Sequence, residues 1–343
     1  CRIMTKRNFS YYLTQYFSIY LPGDRGFSTN TIASYRDTFK QLLNYTKEIQ
    51  NIPPQKMELE LFTGQLVRQY LEYLEKQGKS VSTRNQRLAA IKAFSNYLAY
   101  EDPEHLFQYQ TILKIRAKRS AEPTVSYFSV AGAAALLGQP DTTTRHGYRD
   151  MLLLSLLYDS GARVSEIVQV RIGDIRLTEP HTLLLHGKGS KDRIVPLSDK
   201  TAQLILNFLR KENLQDPEYC CRMLFTNPQG KPLTRAGVSY VLKKYADQVR
   251  IVNPKLLPNP LTPHCVRHSK AMHLLQAGIP LIYIRDFLGH SQIRTTEIYA
   301  KADSEAKRSA LANAYPKFMT DVAEKSESWK EDDDLIQWLE NLC

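Results

Sequence analysis

The side chains of this chain that could do chemistry lie between Arg163 and Tyr299. Gly161-Ala162-Arg163-Val164-Ser165-Glu166-Ile167 sets an arginine and a carboxylate three residues apart, which on a helix is one face. Lys188 stands between Gly187 and Gly189 in the turn of what reads as a hairpin. Pro263-His264-Cys265-Val266-Arg267-His268-Ser269 projects His264 and Arg267 together from a helix start, itself a favourable place for an anion. Leu288-Gly289-His290-Ser291 is followed by Thr295-Thr296-Glu297-Ile298-Tyr299. Singly, each segment is weak: such ion pairs are common on surfaces, hairpin lysines are usually solvated, and most of the 20 tyrosines must be packing residues. Together they hold what phosphoryl transfer requires. Two guanidiniums can grip the non-bridging oxygens of a phosphodiester and stabilise the charge that grows as a nucleophile adds. A phenol with a pKa of ~10 becomes a competent nucleophile once a base removes its proton.

The elements that must carry these residues are mostly helical. Phe9, Leu13 and Phe17 recur at four-residue spacing, and Ile32, Tyr35, Phe39 and Leu42 at three or four. Leu66, Tyr70 and Leu74 form a third series, and Ile91, Phe94, Tyr97 and Leu98 a fourth. Pro22-Gly23-Asp24, Pro53-Pro54 and Gly78 separate them, with Ser28, Thr63 and Ser82 as N-cap candidates. A basic stretch with Lys114, Arg116, Lys118, Arg119 and Pro123 follows and suits a linker. From about 129 the helical pattern resumes and runs through the apolar stretch Met151–Tyr158. The period then changes: Thr182–His186 and Asp192–Leu197 read as two strands around a glycine-rich turn. Helices are expected again near 199–211, 234–250, 264–276, 280–288 and 303–314.

Charge adds a partner class. Lys and Arg outnumber Asp and Glu by 46 to 35, a net charge of +11, unevenly spread. Residues 319–343 hold two lysines and eight acids, so the body up to 318 is strongly basic, as a polyanion-binding protein would be. Five scattered cysteines, Cys1, Cys220, Cys221, Cys265 and Cys343, fit reduced thiols rather than a disulfide framework. No apolar run approaches the ~18 residues of a membrane helix, and no signal peptide or membrane partner is expected.

Arginine, hairpin lysine, His-x-x-Arg, Leu-Gly-His and tyrosine, in that order, resemble the tyrosine recombinase family (phage integrases, Xer and Cre recombinases). The resemblance reaches to about residue 315, and Arg163, Glu166, Lys188, His264, Arg267, His290 and Tyr299 all match its catalytic pattern. It implies a mainly α fold that clamps DNA. A helical, SAM-like core-binding domain would span 5–105 and a basic interdomain linker 106–128. A mostly helical catalytic domain with a small antiparallel β-sheet would span 129–318, followed by an acidic tail over 319–343. Met4 is read as the start of a compact two-domain enzyme without a further N-terminal domain.

By the same resemblance Tyr299 attacks a DNA phosphate, leaving a 3′-phosphotyrosine and a free 5′-hydroxyl. His264 would be the base, His290 a hydrogen-bond donor to the phosphate, Lys188 the acid for the leaving 5′-oxygen, and Glu166 an orienting group. The protein–DNA bond stores the phosphodiester energy, so another 5′-hydroxyl can reseal it without ATP; two exchanges through a Holliday junction recombine two duplexes. No metal or other cofactor is expected, because the arginines supply the cationic clamp. The implied partners are double-stranded DNA at specific recombination sites and a homotetramer on synapsed DNA, with accessory or partner recombinases as an option. The setting would be bacterial cytoplasm, at the nucleoid. Integration, excision or transposition of a mobile element is the favoured role; Xer-like chromosome or plasmid dimer resolution and type IB topoisomerase-like relaxation are the alternatives. Candidate DNA contacts are Arg84, Arg87 and Lys92 on the fourth helix, Lys118 in the linker, and Lys191, Arg193 and Arg235 in the second domain. Leu335, Trp338, Leu339 and Leu342 form an apolar stripe behind the acidic run Glu331–Asp334. That stripe is expected at a protomer interface, packing on its own domain being the alternative.

Overall fold

The computed structural model describes residues 8–119, 125–187, 191–227, 229–290 and 292–302. The chain divides into two compact units, Cys1–Glu122 and Pro123–Cys343. In the first, Asn8 caps α1 (Phe9–Gln15), accepting from the Tyr11 N–H at 3.0 Å. The helix continues as a π-helical stretch, Tyr16–Asp24, so Pro22-Gly23-Asp24 closes it from inside rather than interrupting it. Then come α2 (Thr29–Ile49), α3 (Gly64–Lys76) behind the Thr63 cap, and α4 (Val81–Glu101). The cap of α4 is Ser80, which accepts from the Thr83 N–H at 3.2 Å, and not the expected Ser82, which lies within the helix.

The stretch expected as a linker from residue 106 begins with another helix, α5 (Leu106–Leu113). Its Tyr109 and Ile112 are fully buried, and the Tyr109 hydroxyl donates to the Asp102 carboxylate at 2.5 Å. The run of cations behind it hid the spacing of Leu106, Tyr109 and Leu113, which is helical. Packing converges on Phe94, fully buried, with the rings of Phe9, Tyr16, Phe39 and Phe62 at 5.7, 5.0, 5.0 and 5.8 Å.

The second unit is built around α7 (Arg145–Ser160), preceded by α6 (Val130–Leu137). Leu152, Leu153, Leu156 and Leu157 are all fully buried, and this broad apolar face sets α7 in the core. It ends at Gly161, whose φ of 55° is left-handed, and there a Cβ would lie 3.0 Å from the Phe287 ring. The one-turn helix α8 (Val164–Ile167) follows, then a three-stranded antiparallel sheet of β1 (Ile175–Arg176), β2 (Thr182–Leu185) and β3 (Arg193–Pro196). Leu183 pairs with Ile175 on one side and Val195 on the other, and Leu183, Leu185 and Val195 face the core. Two of these strands are those expected; β1 is too short to leave a period of its own. The helices α9 (Asp199–Lys211), α10 (Arg235–Val252), α11 (Pro263–Gln276), α12 (Leu281–Leu288) and α13 (Arg294–Ala302) complete the unit. The helix expected over 303–314 lies outside the described residues.

Because Phe94 packs against five aromatic rings, the fifth being Tyr97, Phe94→Ala is expected to destabilise the first unit by about 3–5 kcal/mol. Urea unfolding of residues 1–122, compared with wild type, checks it.

Candidate active site

Arg163 follows the turn at Gly161 and caps α8, and Glu166 is the third residue of that helix. One carboxylate oxygen accepts from the Arg163 backbone N–H at 2.7 Å, the other from its guanidinium at 2.8 Å. Arg193, at the start of β3, adds a two-pronged contact to the same carboxylate, 2.9 Å on each arm. Glu166 is only 4% exposed. Burial alone would raise its pKa, but the hydrogen bonds from Arg193 and Arg163 prevail and hold it at about 2.

Arg267, on the second turn of α11, lies 3% exposed behind this pair. It donates to the carbonyls of Gly161 at 2.7 Å and Leu288 at 2.6 Å. Burial, then Arg163 and Arg193, push its pKa down. Arg193 also donates to the Phe287 carbonyl at 3.0 Å, and Arg163 to the Gly289 carbonyl at 3.3 Å. Two guanidiniums thus bind one carboxylate and a third lies beside them on backbone carbonyls, leaving among the described residues a surplus of positive charge. Of the three, Arg163 is the most exposed, with 36% of its side chain accessible.

Around that surplus stand three histidines and the tyrosine. His290 follows Gly289, the left-handed cap of α12, and shares a 2.9 Å hydrogen bond with the Thr296 hydroxyl. Burial, then Arg267 and Arg163, push its pKa down to about 4. His264 is exposed at the rim, its pKa lowered by partial desolvation and then by Arg267 and Arg163. Tyr299 lies on α13 and is 1% exposed. Its hydroxyl meets Nδ1 of His268 at 2.9 Å, and burial raises its pKa against the pull of Arg267 and Arg163.

The structure therefore brings Arg163, Glu166, Arg267, His264, His290 and Tyr299 to one place. Lys188 lies outside the described residues, but the strands on either side of it are placed. His186, beyond β2, hydrogen-bonds Asp192 at 3.0 Å and Asp174 at 3.2 Å, tying the two sides of the hairpin together.

Three participants were not assigned from sequence. His268 is one turn from His264 on the same helix face, a spacing that could have found it. Thr296 carried no signal. Arg193, expected to face DNA, instead turns inward to Glu166, its side chain 10% exposed. Other cations expected at DNA are also engaged by protein. Arg84 is buried against Glu75 at 3.0 Å, Arg87 donates to the Ser34 carbonyl at 3.1 Å, and Lys92 to the Leu113 carbonyl at 2.6 Å. Lys118 pairs with Glu75 at 2.8 Å, half its side chain still exposed. Lys191 and Arg235 are exposed. The stripe of Leu335, Trp338, Leu339 and Leu342 lies outside the described residues. Among the described residues, no group of three or more His, Cys, Asp or Glu side chains could hold a metal ion, and no helix is long and apolar enough to cross a membrane.

A helical scaffold presenting a guanidinium cluster, neutral histidines and a tyrosine hydroxyl defines an enzyme that breaks and rejoins phosphodiester strands. The phage integrase family profile matches residues 131–306, and the phage integrase N-terminal SAM-like domain matches residues 13–102. The chain belongs to the phage integrase family and is a tyrosine site-specific recombinase. It is 35% identical over 331 residues to y4rC of Sinorhizobium fredii, described as an integrase/recombinase, covering 96% of this chain and 97% of that one. It is 31% identical over 298 residues to the tyrosine recombinase XerD of Staphylococcus haemolyticus, covering 86% of this chain and 95% of that protein. Two solved structures share the fold. A XerH site-specific recombinase bound to palindromic difH substrate superposes with TM-score 0.67 at 23% identity, over 84% of this chain and 81% of that one. The Tn1549 transposon integrase in complex with transposon right end DNA gives 0.64 at 18% identity, over 91% and 96%.

Among the described residues Glu166 is the anion that pairs with Arg163 and Arg193, so Glu166→Gln is expected to cost about 3–5 kcal/mol at pH 7. Its pKa is depressed, so its stabilisation is complete above pH 4.5 and fades as pH falls toward 2. Denaturant unfolding at pH 7, 4 and 3 should show the gap between wild type and variant narrowing with acid.

Proposed function

We propose that this recombinase cuts DNA with Tyr299, on a phosphate gripped by Arg163 and Arg267, and that its biological task is to integrate, excise or transpose a mobile element. The observation that carries the site reading is the surplus of buried positive charge beside the Tyr299 hydroxyl. Arg163 and Arg193 share the carboxylate of Glu166 while Arg267 is held on backbone carbonyls alone, and an anion is the group that balances the excess charge. The exposed edge of Arg163 and the rim histidine His264 face the side from which a phosphate would enter.

In the cutting step the Tyr299 oxygen gives up its proton to a neighbouring imidazole and forms a bond to phosphorus as the bond from phosphorus to the 5′-oxygen breaks. The 5′-oxygen leaves with a proton from Lys188, carried on the hairpin whose sides His186 ties together. The product is a 3′-phosphotyrosine, with no net loss of phosphodiester energy, and a 5′-hydroxyl of a second duplex reverses the step. His290 holds its ring against Thr296, which leaves the other ring nitrogen for a phosphate oxygen. The mobile-element role draws on sequence alone, chiefly the acidic tail, and on likeness to an integrase/recombinase along 96% of the chain. Recombination in this proposal takes place in a tetramer on two synapsed duplexes, each copy docking the Leu335–Leu342 stripe on its neighbour.

A supercoiled plasmid carrying the gene's native flanking DNA, incubated in EDTA without ATP and stopped with detergent, should yield protease-sensitive protein–DNA adducts. Tyr299→Phe should yield none, and Arg267→Ala at least about 100-fold fewer. Adducts that persist in Tyr299→Phe would remove Tyr299 as the nucleophile. Deleting residues 330–343 should weaken assembly of the two-duplex complex in native gels and leave single-duplex binding intact; unchanged synapsis would rule out the docking role.

A further inference from the structure

His268 sits beside Arg267 in the chain and has no part in the roles assigned above, yet it makes the one hydrogen bond of the Tyr299 hydroxyl among the described residues. The contact is Nδ1 to the phenol oxygen, 2.9 Å, with ring centres 5.6 Å apart. His264, to which the sequence pattern gave the base role, stands one turn earlier on α11. Its ring centre is 6.2 Å from that of His268, with planes at 29°, and the ring opens to solvent. A base must lie within about 2.6–3.2 Å of the atom whose proton it takes. In the resting arrangement His268 is the side chain among the described residues that meets that condition.

We infer that His268 takes the proton of Tyr299 when the strand is cut and returns it when the strand is rejoined; this rests on the reading of Tyr299 as nucleophile. With its own proton on Nε2, the ring offers the Nδ1 lone pair to the phenol, and Tyr299 donates. As the phenol oxygen bonds to phosphorus and the 5′-oxygen departs with the Lys188 proton, the phenol proton moves to Nδ1 and leaves an imidazolium. Rejoining runs the same transfers backward. The charged and titratable groups facing His268 are His264 and Arg267 from its own helix, Tyr299 from α13 and His290 beyond α12. Burial first, then His264 and Arg267, push its pKa down to about 4, so the resting ring is neutral at pH 7. A phosphate seated on Arg267 offsets that cation and makes the ring more basic when substrate is in place.

The test is single-turnover cutting of a duplex built on the site mapped from plasmid adducts. Its scissile phosphate carries sulfur at the 5′-bridging position, so the leaving group needs no acid. His268→Asn keeps a hydrogen-bonding atom near the Nδ1 position but cannot take the proton, and His268→Phe keeps only the ring shape. Both should bind the duplex within about twofold of wild type, which reports a folded enzyme, and cut at least about 100-fold more slowly at pH 7. The His268→Asn rate should climb with pH toward tenfold per unit, as hydroxide takes over deprotonation, while wild type stays nearly flat above neutrality. His264→Asn should slow cutting without that steepened profile. Wild-type rates in His268→Asn, or the steepened profile appearing in His264→Asn instead, would overturn the assignment. Sulfur-substituted duplex cut equally well by Tyr299→Phe would overturn the nucleophile reading itself, and the base with it.

Discussion

At the C-terminus of α12, three successive carbonyls, those of Phe287, Leu288 and Gly289, receive Arg193, Arg267 and Arg163 in turn. The last carbonyls of a helix lack intrahelical partners and carry the negative end of its dipole, so they suit guanidiniums. Gly289 makes the arrangement geometrically available: its φ of 66° turns the chain out of the helix, and a Cβ there would come within 2.9 Å of the Arg193 side chain. The end of α7 does the same for the second arm of Arg267, through the Gly161 carbonyl. Two helix ends and the Glu166 carboxylate therefore share the desolvation cost of the guanidiniums. Remove any of them and an arginine loses a buried partner.

Charge then sets the state of everything nearby. His264, His268 and His290 are all depressed by burial first and by Arg267 next or soon after, so burial and the arginine cluster act together to favour the neutral ring. Neutral imidazole has both a donor and an acceptor, which imidazolium lacks. The same cations pull the Tyr299 pKa down against its burial. One set of side chains thus grips the anion, keeps the histidines able to accept protons, and eases ionisation of the phenol. These effects change together when a phosphate enters, because each is a response to the same unbalanced charge.

How much of this could be read from sequence depends on distance along the chain. His264 with Arg267 and Arg163 with Glu166 are three apart, a local spacing that helical geometry turns into proximity. The β2–β3 hairpin announced itself by two short β-type runs around a glycine-rich turn, although β1 did not. Arg193 and Glu166 are 27 residues apart, and their pairing is set by how β3 packs against α8 and α12, which no period records. Arg84 and Arg87 show the complementary limit. Their spacing puts them near one another on α4, but whether that side meets solvent or Glu75 and Ser34 is decided by α2 and α3. Basic residues in the supposed linker masked α5 for a related reason: a two-turn helix is a weak signal beside a run of charge.

Helix α13 joins the nucleophile to a part of the phosphate site. Thr296 and Tyr299 are three residues apart on it, and both point inward, at 0% and 1% exposure. Thr296 holds His290, and His268 holds Tyr299, so α13 is attached to the arginine cluster at two points on one face. A displacement of α13 that brings the tyrosine toward a bound phosphate also moves the anchor of His290. The nucleophile and the histidine beside the arginine cluster are thus mechanically coupled through one helix. Among the described residues, Arg294–Ala302 is held by these two hydrogen bonds and a small apolar cluster of Ala271, Met272, Ile284 and Leu288. The leucine core around α7, which fixes the arginines, need not move with it.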